Sequence, residues 1–179
     1  MAELIVVTGP PGAGKSTVAR LLSAQFERSA LVEGDAFFAF IDRGYRDPWT
    51  AGAREQNAVV VDAAAAAAGR LAAGGYTLVY DGVLGPWFLD EFGAATGLRW
   101  LQYAVLMPPE PVCLHRVSSR AGHGFTDLPA TRHMYREFAQ ADIDRRNLIT
   151  SVDAPTGIAT RIRQLVEDGS LRRSIGTAA

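Results

Sequence analysis

Short apolar runs alternate along this chain with longer segments whose apolar residues recur at helical spacing. The first run, Leu4-Ile5-Val6-Val7, is apolar at every position and ends at a turn rich in glycine and proline, which predicts a buried parallel strand. Further strands are predicted at about 30–33, 77–80, 100–107 and 148–152, and helices at about 15–28, 51–73, 86–95, 111–120, 131–146 and 155–167. This alternation indicates an α/β fold in which helices cover both faces of a parallel sheet.

The polar residues that follow these strands are the first candidates for function. Right-handed crossovers place the C-terminal ends of parallel strands along one edge of the sheet. Asp35 and Asp81 each follow a predicted strand, and so does the turn after Val7. We therefore expect the chemistry of the protein at this edge.

Size and charge narrow the classes of function. The chain has 179 residues, the length of a single domain, and its net charge of −1 gives no global attraction for nucleic acids or anionic membranes. Cys113 is the only cysteine, which excludes an internal disulfide and fits a reducing compartment. The sequence before the first strand lacks a basic n-region, and no apolar run is long enough to span a bilayer. We expect a soluble, cytoplasmic protein.

The turn after the first strand carries the most specific motif. Residues 9–16, Gly-Pro-Pro-Gly-Ala-Gly-Lys-Ser, fit G-x-x-x-x-G-K-[ST] between a strand and a helix. Glycines let backbone N–H groups turn toward phosphate oxygens, and the helix start adds partial positive charge. In such a loop Lys15 supplies charge to the β- and γ-phosphates of a nucleoside triphosphate, and Ser16 ligates Mg²⁺. The predicted nucleotide contacts are Gly9, Pro10, Pro11, Gly12, Ala13, Gly14, Lys15, Ser16 and Thr17.

Two acidic residues at strand ends are candidates for the remaining chemistry. Phosphoryl transfer to a hydroxyl uses a base and a metal ion. Asp35 is the predicted base, and its alternative role is to cap the following helix. Asp81 follows Leu78-Val79-Tyr80 in the layout of an acid that holds Mg²⁺ or its water. An acid at this place can instead contact the acceptor, so both roles of Asp81 stay open.

Arginines after the fourth predicted strand indicate a lid over about residues 116–132. Arg116 and Arg120 are four residues apart and therefore share one helix face. Such arginines can stabilise the charge on a transferring phosphoryl group and exclude water, and the alternative is a solvated helix face. We predict catalytic roles for Lys15, Arg116 and Arg120, a nucleotide contact by Arg116, and a substrate contact by His123.

Aromatic residues follow both acids in the sequence, which predicts an apolar wall for the acceptor pocket. The alternative is that part of this set belongs to the core. The predicted substrate contacts are Phe37, Phe38, Arg46, Trp49, Asp81, Trp87 and His123. An aromatic wall favours an acceptor that itself carries a ring.

These motifs resemble those of the P-loop kinases of small molecules. The similar segments are Gly9–Ser16, Gly34-Asp35, Asp81-Gly82 and Arg116–His123. The nearest resemblances are to chloramphenicol phosphotransferase, gluconokinase and shikimate kinase, with zeta-toxin and polynucleotide-kinase domains further off. The resemblance implies a three-layer α/β/α P-loop NTPase fold, with a five-stranded parallel sheet ordered 2-3-1-4-5 and a helical lid. It covers the chain from about residue 3 to residue 168. We expect a single domain over residues 1–168 and a tail over residues 169–179 that frays.

The same resemblance implies an activity. It implies ATP- and Mg²⁺-dependent transfer of the γ-phosphoryl group to a hydroxyl of a small molecule, with Asp35 as the base. The loop after the fifth strand, which includes Asp153, takes the place that cradles adenine in these kinases. Val32-Glu33-Gly34-Asp35 lacks the His-x-Gly-Asp of gluconokinases and the Asp-x-Asp of shikimate kinases, so the acceptor of neither family is implied.

Two other functions stay open at this stage. A nucleoside, nucleotide or polynucleotide kinase of the same fold would clamp a phosphate with arginines such as Arg43, Arg46 and Arg54. A nucleotide-dependent binding protein without kinase activity would need the phosphate-binding turn but not Asp35. For the leading hypothesis the partners are ATP, Mg²⁺ and a small-molecule acceptor, with no nucleic acid and no membrane, in a monomer or homodimer.

Overall fold

Strands and helices alternate as the sequence predicts. A computed structural model describes residues 3–119 and 125–175. The strands are β1 (Leu4–Thr8), β2 (Ser29–Glu33), β3 (Thr77–Asp81), β4 (Trp100–Leu106), β5 (Leu148–Ile149) and β6 (Arg172–Ser174). The helices are α1 (Lys15–Ser23), α2 (Arg54–Ala73), α3 (Leu89–Thr96), α4 (Glu110–Ser118), α5 (Leu128–Gln140) and α6 (Pro155–Glu167). Short 3₁₀ segments lie at Gly34–Phe40, Ala51–Ala53, Pro86–Phe88 and Arg145–Asn147.

One sheet organises the described chain. Its parallel strands have the order β2-β3-β1-β4-β5, which confirms the predicted topology. Asp81 at the end of β3 pairs with Val7 of β1 on one side and with Glu33 of β2 on the other. The register therefore brings the ends of β2 and β3 beside the turn that follows β1.

Two apolar layers cover the sheet. Leu4 and Val6 of β1 pack into one layer, and Ile5 and Val7 pack into the other. Because side chains alternate between the two faces of a strand, a strand that is covered on both faces reads as an unbroken apolar run. The burial of both sets explains the sequence pattern of β1.

The alanine-rich helix α2 packs closely against α3. Its buried positions include Ala64, Ala65, Ala68 and Ala72. A Cβ at Gly69 would lie 2.0 Å from the backbone oxygen of Thr96, so the two helices approach each other too closely for a larger residue. The small residues therefore serve helix packing, in addition to their high helix propensity.

The sheet contains a sixth strand that the sequence analysis does not predict. We expected residues from 169 onward to fray, but Arg172–Ser174 pairs antiparallel with the first half of β4. The Leu171 side chain is fully buried, and its carbonyl accepts from the N–H of Tyr103 at 2.9 Å. The Arg172 guanidinium lies 4.1 Å from the centre of the Trp100 ring. The burial of one leucine and a cation–π contact hold residues 171–174 against the sheet. A local sequence pattern predicts neither interaction.

Several element bounds also differ from the predicted ones. The helix predicted to reach residue 28 ends at Ser23, and the strand predicted over 148–152 has only two paired residues. The helix expected over 131–146 begins earlier, at Leu128, because the Asp127 carboxylate caps it by accepting from the N–H of Ala130 at 2.8 Å. Within the described residues, no helix has the length and apolar character needed to cross a membrane.

The buried leucine at the start of β6 gives a stability prediction. Leu171→Ala removes side-chain contacts from a fully buried site and should lower the free energy of unfolding by about 2–5 kcal/mol. The matched control is Leu71→Ala, since Leu71 is 37% exposed, and it should cost about 1 kcal/mol or less. Urea denaturation measures both. Equal losses for the two variants would show that residues 171–174 are not part of the folded core.

Candidate active site

The phosphate loop, residues 9–14, joins β1 to α1. Its three glycines adopt positive φ: 140° at Gly9, 80° at Gly12 and 98° at Gly14. A Cβ at Gly9 would lie 2.1 Å from the carbonyl oxygen of Leu106, and one at Gly12 would lie 2.3 Å from that of Cys113. Both obstructing atoms are backbone, so no side-chain rotation relieves the overlap. The fold therefore requires glycine at these two positions.

Lys15 and the start of α1 supply positive charge to this loop. The Lys15 side chain is buried, and its ammonium donates to the carbonyl of Pro10 at 3.2 Å. Among the described side chains none caps the helix at Gly14, so N–H groups of the first turn can bind an anion. Ser16 and Thr17 are exposed beside them. This arrangement suits the phosphates of a nucleotide.

Arg116 of α4 contacts the outer side of the phosphate loop. Its guanidinium donates to the carbonyl of Gly12 at 3.3 Å and to that of Ala13 at 3.2 Å. In a planar trans peptide the N–H points opposite to the carbonyl, so the N–H of Gly14 faces away from Arg116. Arg116 thereby fixes the orientation of a loop peptide. The other two predicted lid residues, Arg120 and His123, lie outside the described residues.

Asp81 is buried at the end of β3, with 6% of its surface exposed. Burial raises the pKa of its carboxyl, against the opposing effects of the Ser16 hydroxyl and the Lys15 ammonium. Its Oδ1 has no hydrogen-bond partner among the described residues. A buried carboxylate oxygen without a donor is costly unless a cation or water reaches it.

Ser16 and Asp81 fit a divalent cation that arrives with a nucleotide. The orphaned Asp81 oxygen and the exposed Ser16 hydroxyl are both oxygen ligands, which Mg²⁺ prefers. The described part of the chain holds no group of three or more His, Cys, Asp or Glu side chains that would bind a metal alone. Mg²⁺ is typically bound by one or two protein ligands together with substrate phosphates, which agrees with this sparse set.

Asp35 lies on the other side of the strand ends, in the 3₁₀ segment after β2. It is exposed, and its Oδ1 faces the N–H of Val83 at 3.4 Å. Burial raises the pKa of the Tyr45 phenol, and the charges of Asp47 and Asp35 raise it further. The Asp35 side chain opens into the cleft described next rather than capping the segment that follows it.

The phosphate loop, Lys15 and Asp35 line one open cleft of about 1340 Å³, whereas Arg116 and the buried Asp81 are not part of its lining. It is lined on the nucleotide side by Pro11, Gly12, Gly14, Lys15 and Ser16. On the far side it is lined by Phe38, Tyr45, Trp49, Trp87 and Phe88, among others. The cleft thus has a phosphate-binding end and an aromatic end, and Asp35 lies between them.

Some predicted substrate and nucleotide residues do not line this cleft in the described chain. Phe37 packs against the core and lies edge-on to Phe40 with ring centres 5.6 Å apart. Arg46 instead donates to the carbonyl of Gly52 at 2.8 Å and so braces its own loop. Asp153 is exposed after β5, where its carboxylate accepts from the Ser151 hydroxyl at 2.5 Å. Substrate or nucleotide contact by these residues stays a prediction.

The cleft is also lined by residues that the sequence analysis does not predict for the leading hypothesis. They include Tyr80, Arg54, Asn57, Phe125, His133 and Met134. Of these residues, the sequence analysis names Arg54 only for the nucleotide-kinase alternative. Asn57 lies on α2, and His133 and Met134 lie on α5. No sequence motif marks these three among the other residues of their helices. Phe125 contacts Trp49 edge-on, with ring centres 4.9 Å apart, and both side chains line the cleft. The chain from Phe125 onward therefore packs against the segment that carries Trp49.

The sequence profile of the AAA domain family matches residues 5–126, about two thirds of the chain. This chain belongs to the AAA domain family. No curated protein gives a significant match to the sequence. The AAA domain match spans the phosphate loop, Asp35, Asp81 and Arg116.

Solved structures with the same fold as this AAA domain are numerous. The tunicamycin resistance protein of Deinococcus radiodurans is 16% identical, with a TM-score of 0.71 over 93% of this chain and 96% of that one. A sugar kinase from Janibacter sp. is 20% identical, with a TM-score of 0.69 over 93% and 95% of the two chains. Shikimate kinase from Acinetobacter baumannii is 20% identical, with a TM-score of 0.58 over 96% of each. These likenesses confirm the predicted P-loop fold, which this chain shares with solved structures of a sugar kinase and a shikimate kinase.

The buried carboxyl of Asp81 gives a pH-dependent stability prediction. Because the pKa of Asp81 is raised in the folded chain, its ionisation opposes folding. The full stability is present when the pH is below the pKa of Asp81 in the unfolded chain, about 3.8. Part of this stability is lost as the pH rises through the higher pKa of the folded chain. Without nucleotide, the Asp81→Asn variant should therefore gain stability over the unsubstituted protein as pH rises from about 4 to 7.

Urea midpoints measured at several pH values check this prediction. Asp62→Asn, an exposed substitution of the same chemistry on α2, is the control whose effect is subtracted. A stability difference that does not change with pH, or that changes in the opposite sense, would contradict the burial of an ionisable carboxyl at Asp81.

Proposed function

We propose that this protein is a kinase that transfers the γ-phosphoryl group of ATP, with Mg²⁺, to a hydroxyl of a small molecule. One observation carries the proposal: the phosphate loop and Asp35 line one cleft whose far end is aromatic, and Asp81 is buried at the neighbouring strand end. A nucleotide-binding protein without transfer chemistry has no need of a second, open half of the cleft. The likeness to solved kinase structures supports the same class of activity.

The nucleotide end would work through charge and position. Lys15 and the first-turn N–H groups of α1 hold the β- and γ-phosphates. Ser16 and Asp81 would hold Mg²⁺, which when bound neutralises charge that builds on the phosphate oxygens. Arg116, which already contacts the loop, keeps its backbone donors in place. In reactions of this kind, donors that are already aimed at the developing charge supply much of the rate enhancement.

Asp35 is the proposed general base. As the acceptor oxygen forms its bond to the γ-phosphorus, the bond from that phosphorus to the bridging oxygen breaks and ADP leaves. The hydroxyl proton passes to the Asp35 carboxylate, which opens into the cleft between the phosphate loop and the aromatic end. The positions of these groups suit an acceptor bound at the aromatic end.

The aromatic end suits an acceptor with a ring or a hydrocarbon surface. Trp87 lies edge-on to Phe138 with ring centres 5.2 Å apart, and Trp49 is held against Phe125. Side chains fixed in this way present a preformed apolar wall. Polar groups at this end, such as Asp47 and Asn57, leave room for hydroxyls on the acceptor.

A nucleotide acceptor is less well supported. Of the three arginines considered for a phosphate clamp, Arg54 lines the cleft and lies 5.7 Å from the centre of the Phe88 ring. Arg46 is bonded to its own loop, and Arg43 lies at the surface 3.9 Å from the Asp42 carboxylate. One arginine at the cleft is compatible with a single anionic group on an acceptor, whereas a clamp on a phosphate usually uses several.

The direct test is ATP consumption against a panel of sugars, ring-bearing antibiotics, nucleosides and nucleotides. We expect turnover with at least one non-nucleotide hydroxyl compound, and ³¹P NMR should show a phosphate ester on the acceptor. Lys15→Ala should abolish transfer, because it removes the charge that faces the phosphates. Turnover only with nucleotides would replace the leading proposal with the nucleotide-kinase alternative.

Replacement of the proposed base separates transfer from binding. Asp35→Asn should lower kcat by about 10²–10⁴-fold while the affinity for Mg²⁺-ATP stays the same, because the amide cannot take the proton. Asp42→Asn is the matched control, since Asp42 is a nearby exposed carboxylate outside the cleft lining. Steady-state kinetics and calorimetric binding measure the two effects. An unchanged kcat in Asp35→Asn would exclude Asp35 as the base.

A further inference from the structure

Thr8 is a buried polar residue at the end of β1, directly before the first glycine of the phosphate loop. Its side chain is fully buried. Its backbone pairs with Val105 of β4, whereas its hydroxyl reaches the opposite neighbour. The hydroxyl donates to the carbonyl of Leu84 at 3.0 Å and accepts from the N–H of the same residue at 2.8 Å. One side chain thus bonds both backbone groups of Leu84: it is the acceptor for the N–H, and it shares the carbonyl with the Tyr103 hydroxyl, which donates to it at 2.8 Å.

Leu84 belongs to the turn after β3, residues 82–85. The ladder between β1 and β3 ends where Val7 pairs with Asp81, so the Thr8 hydroxyl extends the contact between these two segments past the end of the strands. The Leu84 side chain is itself fully buried, which fixes the residue from both its backbone and its side chain. The 82–85 turn is therefore held against the same strand that leads into the phosphate loop.

This turn faces the proposed base. The N–H of Val83, the residue before Leu84, points to Asp35 Oδ1 at 3.4 Å. Hydrogen bonds of catalytic groups are often long without substrate and shorten in the reacting complex. Since Val83 and Leu84 share a peptide bond, a shift of Leu84 moves the donor that faces Asp35.

We propose that Thr8 is a positioning residue for phosphoryl transfer: its hydroxyl fixes the 82–85 turn so that the Val83 N–H orients the Asp35 carboxylate toward the acceptor. The inference rests on the proposed function, because it takes Asp35 to be the base. It also gives the two halves of the cleft one shared anchor, since the phosphate loop begins at the next residue. Apolar residues of the same shape would complete the strand equally well, so burial alone does not account for a hydroxyl here.

The tests are Thr8→Val, which keeps the branched shape and removes the hydroxyl, and Thr8→Ser, which keeps the hydroxyl. Thr8→Val leaves the buried Leu84 N–H without its acceptor, so the turn should shift. We expect kcat to fall by about 10- to 100-fold, as small misplacements of reacting groups cause, with the KM for ATP within about twofold. Thr8→Ser should restore most of kcat. Thr8→Ala, which makes no steric demand, should show the same loss if Thr8→Val does not fold.

The control is Thr96→Val. Thr96 is also buried. Its hydroxyl likewise makes two hydrogen bonds to backbone groups: it donates to the carbonyl of Gly93 at 2.6 Å and accepts from the N–H of Leu98 at 3.2 Å. It lies at the end of α3 and does not line the cleft. This variant should lose stability in the same way while its kcat stays within about twofold of the unsubstituted protein. A merely structural role for Thr8 would make the two valine variants behave alike.

A double-mutant cycle with Asp35→Asn ties the effect to the base. If Thr8 acts through Asp35, Thr8→Val should lower kcat by less than about twofold in a chain that already carries Asn at position 35. Equal losses with and without Asp35, or a kcat for Thr8→Val equal to that of Thr96→Val, would overturn the inference alone. Absence of transfer by the unsubstituted protein to every acceptor would overturn the proposed function, and this inference with it.

Discussion

The site depends on the close approach of the phosphate loop to two backbone carbonyls. Leu106 at the end of β4 and Cys113 in α4 lie where a Cβ of Gly9 or Gly12 would have to be. Glycine alone can pass at these points, and it adopts the positive φ that turns the loop N–H groups inward. The parallel sheet and the helix after β4 therefore shape the anion site through steric exclusion before any charged side chain acts.

The same sheet sets the positions of the two acids. Register places Asp81 between β1 and β2, where burial makes its ionised form expensive. A cation bound with a nucleotide would relieve that cost. The buried Asp81 carboxylate thus both destabilises the chain without nucleotide and favours the proposed binding of a cation. Asp35, two residues past the paired end of β2, stays exposed and opens into the cleft. In the proposed function, one strand end thus offers a metal ligand and its neighbour offers a base.

Sequence predicts the parts of this account that depend on local pattern. The spacing of Gly9, Lys15 and Ser16 predicts the phosphate loop, and the alternation of strands and helices predicts a parallel sheet covered on both faces. The order of its strands follows from the resemblance to P-loop kinases. The sequence does not predict β6, because Leu171 is buried by distant residues. Nor does the sequence show which of Arg46 and Arg54 lines the cleft. The path of the chain over residues 43–53 decides this: Arg46 bonds to the Gly52 carbonyl, and Arg54 lies in the cleft lining. Thr8 and Leu84, which bond to each other, are 76 positions apart in the sequence, so no local residue pattern predicts their contact.

The central claim is that the phosphate loop, with Lys15, Ser16 and Asp81, binds a Mg²⁺-nucleoside triphosphate. Isothermal titration calorimetry with a non-hydrolysable ATP analogue tests it most directly. The account predicts saturable binding at one site per chain that weakens at least tenfold when EDTA removes Mg²⁺, a loss of about 1.4 kcal/mol in binding free energy. Absence of binding at millimolar analogue, or an affinity indifferent to the metal, would contradict it.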